Sequence, residues 1–134
     1  MTEKILLEVI TPERVVLKEE VDEVTATGAM GEFGVLPGHT PFLTILGIGP
    51  LRFRREKETL TMAAAGGIAE VGPEKVTVLA EAAELPKEID VERAKRALER
   101  AEAGMKGLST DDAKFVEMEA ALKRALTRLS VASR

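Results

Sequence analysis

Arginine is the residue type whose spacing in this chain suggests chemistry. Arg93 and Arg100 stand seven residues apart, and Arg124 and Arg128 four apart, so on helices each pair shares one face. Two such helices folded against each other would bring four guanidinium groups together, with Asp90 nearby. Planar guanidinium forks suit phosphate oxygens. The alternative is a solvated face whose charges are satisfied along the helix, Glu92 with Arg96 and Glu99 with Arg96 and Arg100. Residue types alone leave both readings open.

Little else is equipped for catalysis. The chain has one histidine, His39, and no cysteine, which excludes disulfide scaffolds, zinc ribbons and Cys–His nucleophile pairs. His39 lies in a Gly/Pro loop without metal companions and suits a structural or interface role better than that of a general base. The carboxylates form no recognisable catalytic pair. Gly47-Ile48-Gly49 and Gly66-Gly67 lack the Gly-Lys-Ser/Thr ending of a phosphate loop. Neither catalytic residues nor a metal site is expected.

The elements that must position these side chains fall into two parts. The chain is 134 residues long, 45% apolar and 31% charged, with a net charge of −4, enough for a packed core and a weak argument against nucleic acid as a partner. Its four aromatics are all Phe, which is no stacking platform for single strands. Residues 1–85 carry 8 basic and 14 acidic side chains, residues 86–134 carry 11 and 9, and from Ala120 onward Lys123, Arg124, Arg128 and Arg134 meet no acid. Gly and Pro punctuate the first part, whereas Ala, Leu, Glu, Lys and Arg fill the second. No apolar run approaches the roughly 20 residues of a membrane span, and MTEKILLEVI has no signal-peptide core, so a soluble protein on the cytosolic side is expected.

Residues 1–85 read as strands. Ile5 to Ile10 and Val15 to Val21 are apolar or β-branched runs around a Thr11-Pro12-Glu13 turn, and Glu23 to Thr27 alternates with period 2. Leu51 to Arg54 and Thr59 to Ala64 flank a charged hairpin turn, and Val76 to Leu79 follows Gly72-Pro73-Glu74-Lys75. Short strands at this spacing predict an all-β sandwich or flattened barrel of about ten strands. Gly31 to Pro41 holds three Gly and two Pro and dictates a backbone path. It is either a corner joining two sheets or a contact surface to which Phe33, Val35 and Leu36 contribute.

Residues 86–134 read as an antiparallel two-helix hairpin, making the whole α+β. Asp90 caps a helix whose Ala94, Ala97, Leu98 and Ala101 share a face, and Gly104-Met105-Lys106-Gly107 ends it. Ser109 or Thr110 is expected to cap the second helix, with Asp111 and Asp112 in its first turn and Phe115, Met118, Leu122, Ala125 and Leu129 as its apolar stripe. So Ala-rich a hairpin buries little surface and is able to detach or extend.

At these residues the chain resembles a known family, the epsilon subunits of bacterial F-type ATP synthases, over nearly its whole length. GEFGVLPGHTPFLT at 31–44 is similar to the family's sandwich corner, Ala65-Gly66-Gly67-Ile68-Ala69-Glu70-Val71 to its second marker, and Ala121 to Val131 to its terminal helix. The resemblance implies a non-catalytic subunit of the central rotor stalk. Its sandwich would bind the gamma subunit and rest on the c-ring, with Glu32 and His39 in the contacting corner, while phosphoryl chemistry stays on beta with alpha. The hairpin would be a brake that extends along gamma to block ATP hydrolysis, Lys123, Arg124 and Arg128 then facing an acidic segment of beta. Ile89-Asp90-Val91-Glu92-Arg93-Ala94 resembles the ATP-binding pattern of some members. It implies Glu84 and Asp90 near the adenosine, Arg93, Arg100, Arg124 and Arg128 at the phosphates, and ATP as a regulatory ligand rather than a required cofactor. The implied location is peripheral, on the cytoplasmic face of a bacterial membrane. The competing expectation is a free-standing β-sandwich that binds a small molecule or hydrolyses it within residues 1–85.

Overall fold

Apolar side chains on alternate residues of each early strand turn inward together. β1 (Ile5–Ile10) buries Ile5, Leu7 and Val9, and β3 (Glu23–Gly28) buries Val24 and Ala26. Between them runs β2 (Val15–Val21), followed later by β4 (Gly31–Val35), β5 (Phe42–Ile45) and β6 (Ile48–Arg55). β7 (Glu58–Ala65), β8 (Ile68–Val71), β9 (Lys75–Leu79) and β10 (Ala82–Glu84) complete the set. This computed structural model describes residues 3–133; Arg134, counted above in the basic ending, lies outside them.

The strands form two five-stranded sheets, β2-β1-β9-β8-β5 and β10-β7-β6-β3-β4. Only β1 and β9 pair in parallel among the described ladders. Phe53, Ile5, Leu7, Leu51 and Met62 are fully enclosed between the sheets. The expected β-sandwich is therefore present. Asp22, where β2 passes into β3, ties one end of it: its carboxylate accepts from Lys4 Nζ at 2.8 Å and from Glu56 N–H at 2.6 Å. Lys4 first, then the Glu56 amide, holds its pKa below the usual carboxylate range. Glu56, at φ 60, is the one non-glycine residue with positive φ among those described, and that hydrogen bond helps hold it there.

Three details differ from the sequence expectation. Gly31 to Val35 is an edge strand, and the corner is confined to residues 36–41. Alternation along that strand puts Val35 wholly inside and Phe33 halfway, so of the three apolar groups assigned to a contact surface only Leu36 is strongly exposed, at 53%. The first helix, α1 (Val91–Met105), ends within Gly104-Met105-Lys106-Gly107 as expected, but Gly104 itself is still helical. It is a point of close approach, where a Cβ would stand 2.7 Å from Met118 Sδ, and Gly107 at φ 77 makes the turn instead. The second helix, α2 (Ala113–Ala132), is capped by Asp112, which accepts Lys114 N–H at 2.8 Å. Ser109 is not the cap because its hydroxyl is engaged by Asp111, and that bond lowers the Asp111 pKa. Asp90 caps α1 as expected, accepting Arg93 N–H at 3.1 Å.

The helices form the expected hairpin, stacked as two layers on the outer face of the second sheet. α2 lies on β6 and β7, and α1 packs on α2. Small residues allow this approach. Ala63 of β7 meets Ile89 and Val131 in a minor cluster of their own, while Ala94, Ala101 and Ala125 are buried along the helix seam. A short 3-10 turn (Pro86–Glu88) joins sandwich to hairpin.

Candidate functional site

Where the two helices and the last strand converge, a cleft of about 370 Å³ opens. Glu84 at the end of β10 and Asp90 at the α1 cap line one end. Arg93 and Arg100 of α1 and Arg124 and Arg128 of α2 line the rest. Ala94, Ala97 and Ala121 also line it, and their short side chains leave the space unfilled. All six residues expected around a nucleotide thus border one cleft. The seventh charged residue there, Glu88, was missed; its one local signal is a Glu three residues after Leu85, where a carboxylate reaches back to the Leu85 N–H, with Pro at the first helical position.

The charges in the cleft are unevenly matched. Glu84 Oε1 meets Arg128 Nε at 2.5 Å, so one acid and one base assigned to a ligand hold each other in its absence. Glu88 Oε2 meets Arg14 Nη2 at 2.6 Å, and Arg14 lies outside the lining. Arg93, Arg100 and Arg124 have no carboxylate within ion-pair distance among the described residues. The pairs that would make this a self-satisfied helical surface are not formed: Glu92 turns to Lys95 at 3.7 Å rather than to Arg96. Three guanidinium groups therefore face the cleft with their donors free for an anion.

The basic residues of α2 divide by face. Arg124 and Arg128 point into the cleft, whereas Lys123, one residue away, is exposed to solvent. In the folded hairpin Lys123 is the exposed member of this trio, Arg124 and Arg128 being half-buried.

The corner residues sit apart from the cleft. Glu32, on β4, accepts from Arg52 Nη1 at 3.1 Å and keeps 55% of its side chain exposed. His39 Nδ1–H donates to Thr40 O at 2.7 Å, with its ring 5.1 Å from that of Phe42, which meets Phe33 edge-on at 5.5 Å. That packing orients the imidazole, and among the described residues no carboxylate is hydrogen-bonded to it.

A second surface feature spans the outer face of the first sheet. Strand register aligns Ile45 with Ile68, Ile68 with Leu79, Leu79 with Ile10 and Ile10 with Val15. Ile45, Leu79 and Val15 are 66%, 44% and 56% exposed and Ile68 is 37%. An apolar row thus crosses all five strands of the sheet. Sequence reading missed it because each strand contributes one residue and only the register joins them. Among the described residues no group of His, Asp and Glu is arranged to hold a metal ion, and no helix is long and apolar enough to cross a membrane.

Residues 4–86 match the family described as ATP synthase, Delta/Epsilon chain, beta-sandwich domain, and residues 87–133 the ATP synthase, Delta/Epsilon chain, long alpha-helix domain. The ATP synthase epsilon chains of Geobacter metallireducens and Citrifermentans bemidjiense are 54% and 56% identical over all of this chain and 97% of theirs. Among solved structures, a chain of the Euglena gracilis mitochondrial ATP synthase (OSCP/F1/c-ring) aligns with a TM-score of 0.81 at 29% identity, covering 100% of this chain and 84% of that one. A chain of the Tetrahymena thermophila mitochondrial ATP synthase central stalk and c-ring shares the fold, with a TM-score of 0.63 at 17% identity over 98% of each. A sandwich with an Arg-lined helical hairpin, matched end to end by these relatives, makes the chain a member of the ATP synthase epsilon chain family.

Proposed function

We propose that this epsilon chain is a rotor-stalk subunit whose sandwich docks on gamma and the c-ring, and whose hairpin is a brake on ATP hydrolysis held down by bound ATP. Epsilon chains are non-catalytic subunits, and the work of this one is binding. The observation that carries the regulatory part is the cleft: three guanidinium groups from two different helices, none with a carboxylate partner among the described residues, around a space of about 370 Å³. A polyphosphate bridging α1 and α2 would stabilise the folded hairpin, because extension separates its partners. ATP at 100 times its dissociation constant would favour the folded form by about 2.7 kcal/mol. In the extended form Arg124 and Arg128 would join Lys123 in facing acidic segments of beta. The complex would lie on the cytoplasmic face of a bacterial membrane.

Arg93→Ala tests this. Losing one charge-assisted contact costs about 1.5–3 kcal/mol, or roughly 10- to 100-fold in affinity. Calorimetric titration with ATP suits a chain without Trp or Tyr. Saturable one-to-one binding that the variant weakens supports the latch, and equal affinities would sink the role given to Arg93.

For the sandwich, the supporting observation is the apolar row on the first sheet. Ile68 lies within the row between Leu79 and Ile45 and is 37% exposed, so Ile68→Glu should leave the sheet folded. At a desolvated docking surface it should weaken gamma binding tenfold or more, to about a 1.4 kcal/mol loss at least. Undiminished binding would move the docking surface elsewhere.

A further inference from the structure

Glu88 is the acid in the cleft that the sandwich itself holds. Its carboxylate serves two donors: Oε1 accepts Leu85 N–H at 2.9 Å, and Oε2 meets Arg14 Nη2 at 2.6 Å. Leu85 and Glu88 bracket the 3-10 turn through which the chain leaves the sandwich, so this carboxylate closes the hinge. Arg14 arrives from far away in sequence. It ends the tight β1–β2 turn, where Thr11 N–H donates to Arg14 O at 2.9 Å and Arg14 N–H to Thr11 O at 3.3 Å. A turn on the first sheet thus grips the hinge that follows the last strand of the second.

We infer that Arg14 is a positioning residue for the cleft: its guanidinium fixes Glu88 at the hinge and cancels a carboxylate that would otherwise repel a phosphate-bearing ligand. The other two acids of the cleft have local partners. Glu84 has Arg128, and Asp90 accepts the Arg93 amide at the positive end of α1. Glu88 has only Arg14 among the cationic side chains described, and Arg14 supplies its charge from outside the lining, without occupying ligand space. Removing it frees the carboxylate to leave Leu85 and adds one uncompensated negative charge beside the phosphate-facing arginines. Both groups are partly exposed, 46% and 33%, so solvent screening limits the effect to a moderate one. The hinge half of the inference stands on geometry alone; the charge half rests on the nucleotide reading of the cleft.

The test compares the full-length chain with Arg14→Gln, Glu88→Gln and the double variant, by amide hydrogen exchange without ligand and by titration with ATP. Arg14→Gln should speed exchange at Leu85 about three- to tenfold and weaken ATP binding by a similar factor. Glu88→Gln, whose amide oxygen still accepts from Leu85, should bind ATP at least as tightly as the parent. Adding Arg14→Gln to it should return ATP affinity to that of the parent, because both charges of the pair are then gone. Unchanged Leu85 exchange in Arg14→Gln overturns the hinge role, whether or not ATP binds. A double variant that binds ATP as weakly as Arg14→Gln alone overturns the charge role, since the loss would then not depend on the Glu88 charge. A parent chain that binds no ATP removes the nucleotide reading and the charge role with it, while the exchange rates still decide the hinge.

Discussion

Gly67→Ala should destabilise the sandwich by about 3 kcal/mol or more, while Gly66→Ala, one residue earlier, should cost only about 1–2 kcal/mol. Both glycines have positive φ, +66 at Gly66 and +99 at Gly67. The difference lies in what a methyl group would meet. At Gly66 the nearest atoms belong to the end of the Glu81 side chain, 2.7 Å away, and a flexible carboxylate can swing into water. At Gly67 the added carbon would stand 1.9 Å from the carbonyl oxygen of Leu79 and 2.9 Å from Ala80 Cα. Those are backbone atoms, and they cannot retreat freely. Ile68 pairs with Leu79 across β8 and β9, Ala80 N–H donates to Ile10 O at 2.9 Å, and Leu46 N–H donates to Gly67 O at 2.9 Å. Relief of the clash therefore breaks cross-strand hydrogen bonds or displaces the end of β9. Urea unfolding of the two variants beside the parent measures the contrast, and a Gly67→Ala loss within 1 kcal/mol of the Gly66→Ala loss would contradict it. Because Ile68 and Leu79 are in the apolar row, a Gly67→Ala chain that still folds should also dock less well.

How much of this was legible in the sequence depends on whether the signal was local. β1 and β2 are apolar or β-branched runs either side of a turn and β3 alternates with period 2. These are local signals and legible directly, as is Asp90, whose capping oxygen sits next to the helix it starts. β5 and β10 have four and three residues, too few for a period to emerge, and they exist because neighbouring strands supply their hydrogen bonds. The start of α2 was misplaced by the same logic. Several capping residues stand in a row from Ser109 to Asp112; Asp112 takes the cap, while Ser109 is hydrogen-bonded to Asp111. The cleft was half legible. Helical spacing put the arginines in pairs on two faces, but only the fold of the hairpin decides that the faces oppose each other. Resemblance named the six residues that line the cleft; it gave no hint that Glu84 and Arg128 hold each other, or that Arg14 reaches Glu88 from the far sheet. Such contacts join residues 44 and 74 positions apart, beyond any local period. The Gly31 to Pro41 segment illustrates a different failure. Its glycines and prolines suit either a corner or a contact surface, yet Gly31 and Gly34 fit an edge strand with solvent on one side, where absent side chains cost packing little.

Ending the chain at Leu85 should leave a folded sandwich and remove both ATP binding and inhibition. The main core is contained in the sandwich: its buried members run from Ile5 to Ala83, and none belongs to the hairpin. The hairpin adds a separate small cluster, Ile89 and Val131 against Ala63. Its removal uncovers mostly small side chains on β7, Ala63 and Ala65 among them. Exposing a few alanines forfeits little, since burial is worth about 25 cal/mol per Å² of apolar area. Cooperative urea unfolding with a midpoint near that of the parent is the expected result. ATP binding should vanish rather than weaken, because five of the six residues assigned to the nucleotide lie beyond residue 85. In complexes reconstituted with alpha, beta and gamma, the full chain should slow ATP hydrolysis, and slow it less as ATP rises. The shortened chain should still join the complex, through the apolar row and the Glu32–His39 corner, without slowing hydrolysis. A shortened chain that fails to dock would mean that the hairpin supplies part of the gamma surface, and one that still inhibits would locate the brake in the sandwich. The small size of the hairpin's own cluster is what makes the switch plausible physically. α2 rests on β6 and β7, with Ala63, Ile89 and Val131 as its buried cluster and, among the described residues, the ion pairs Glu84–Arg128 and Arg14–Glu88 at its base. A ligand bound only to the folded form shifts such an equilibrium toward it.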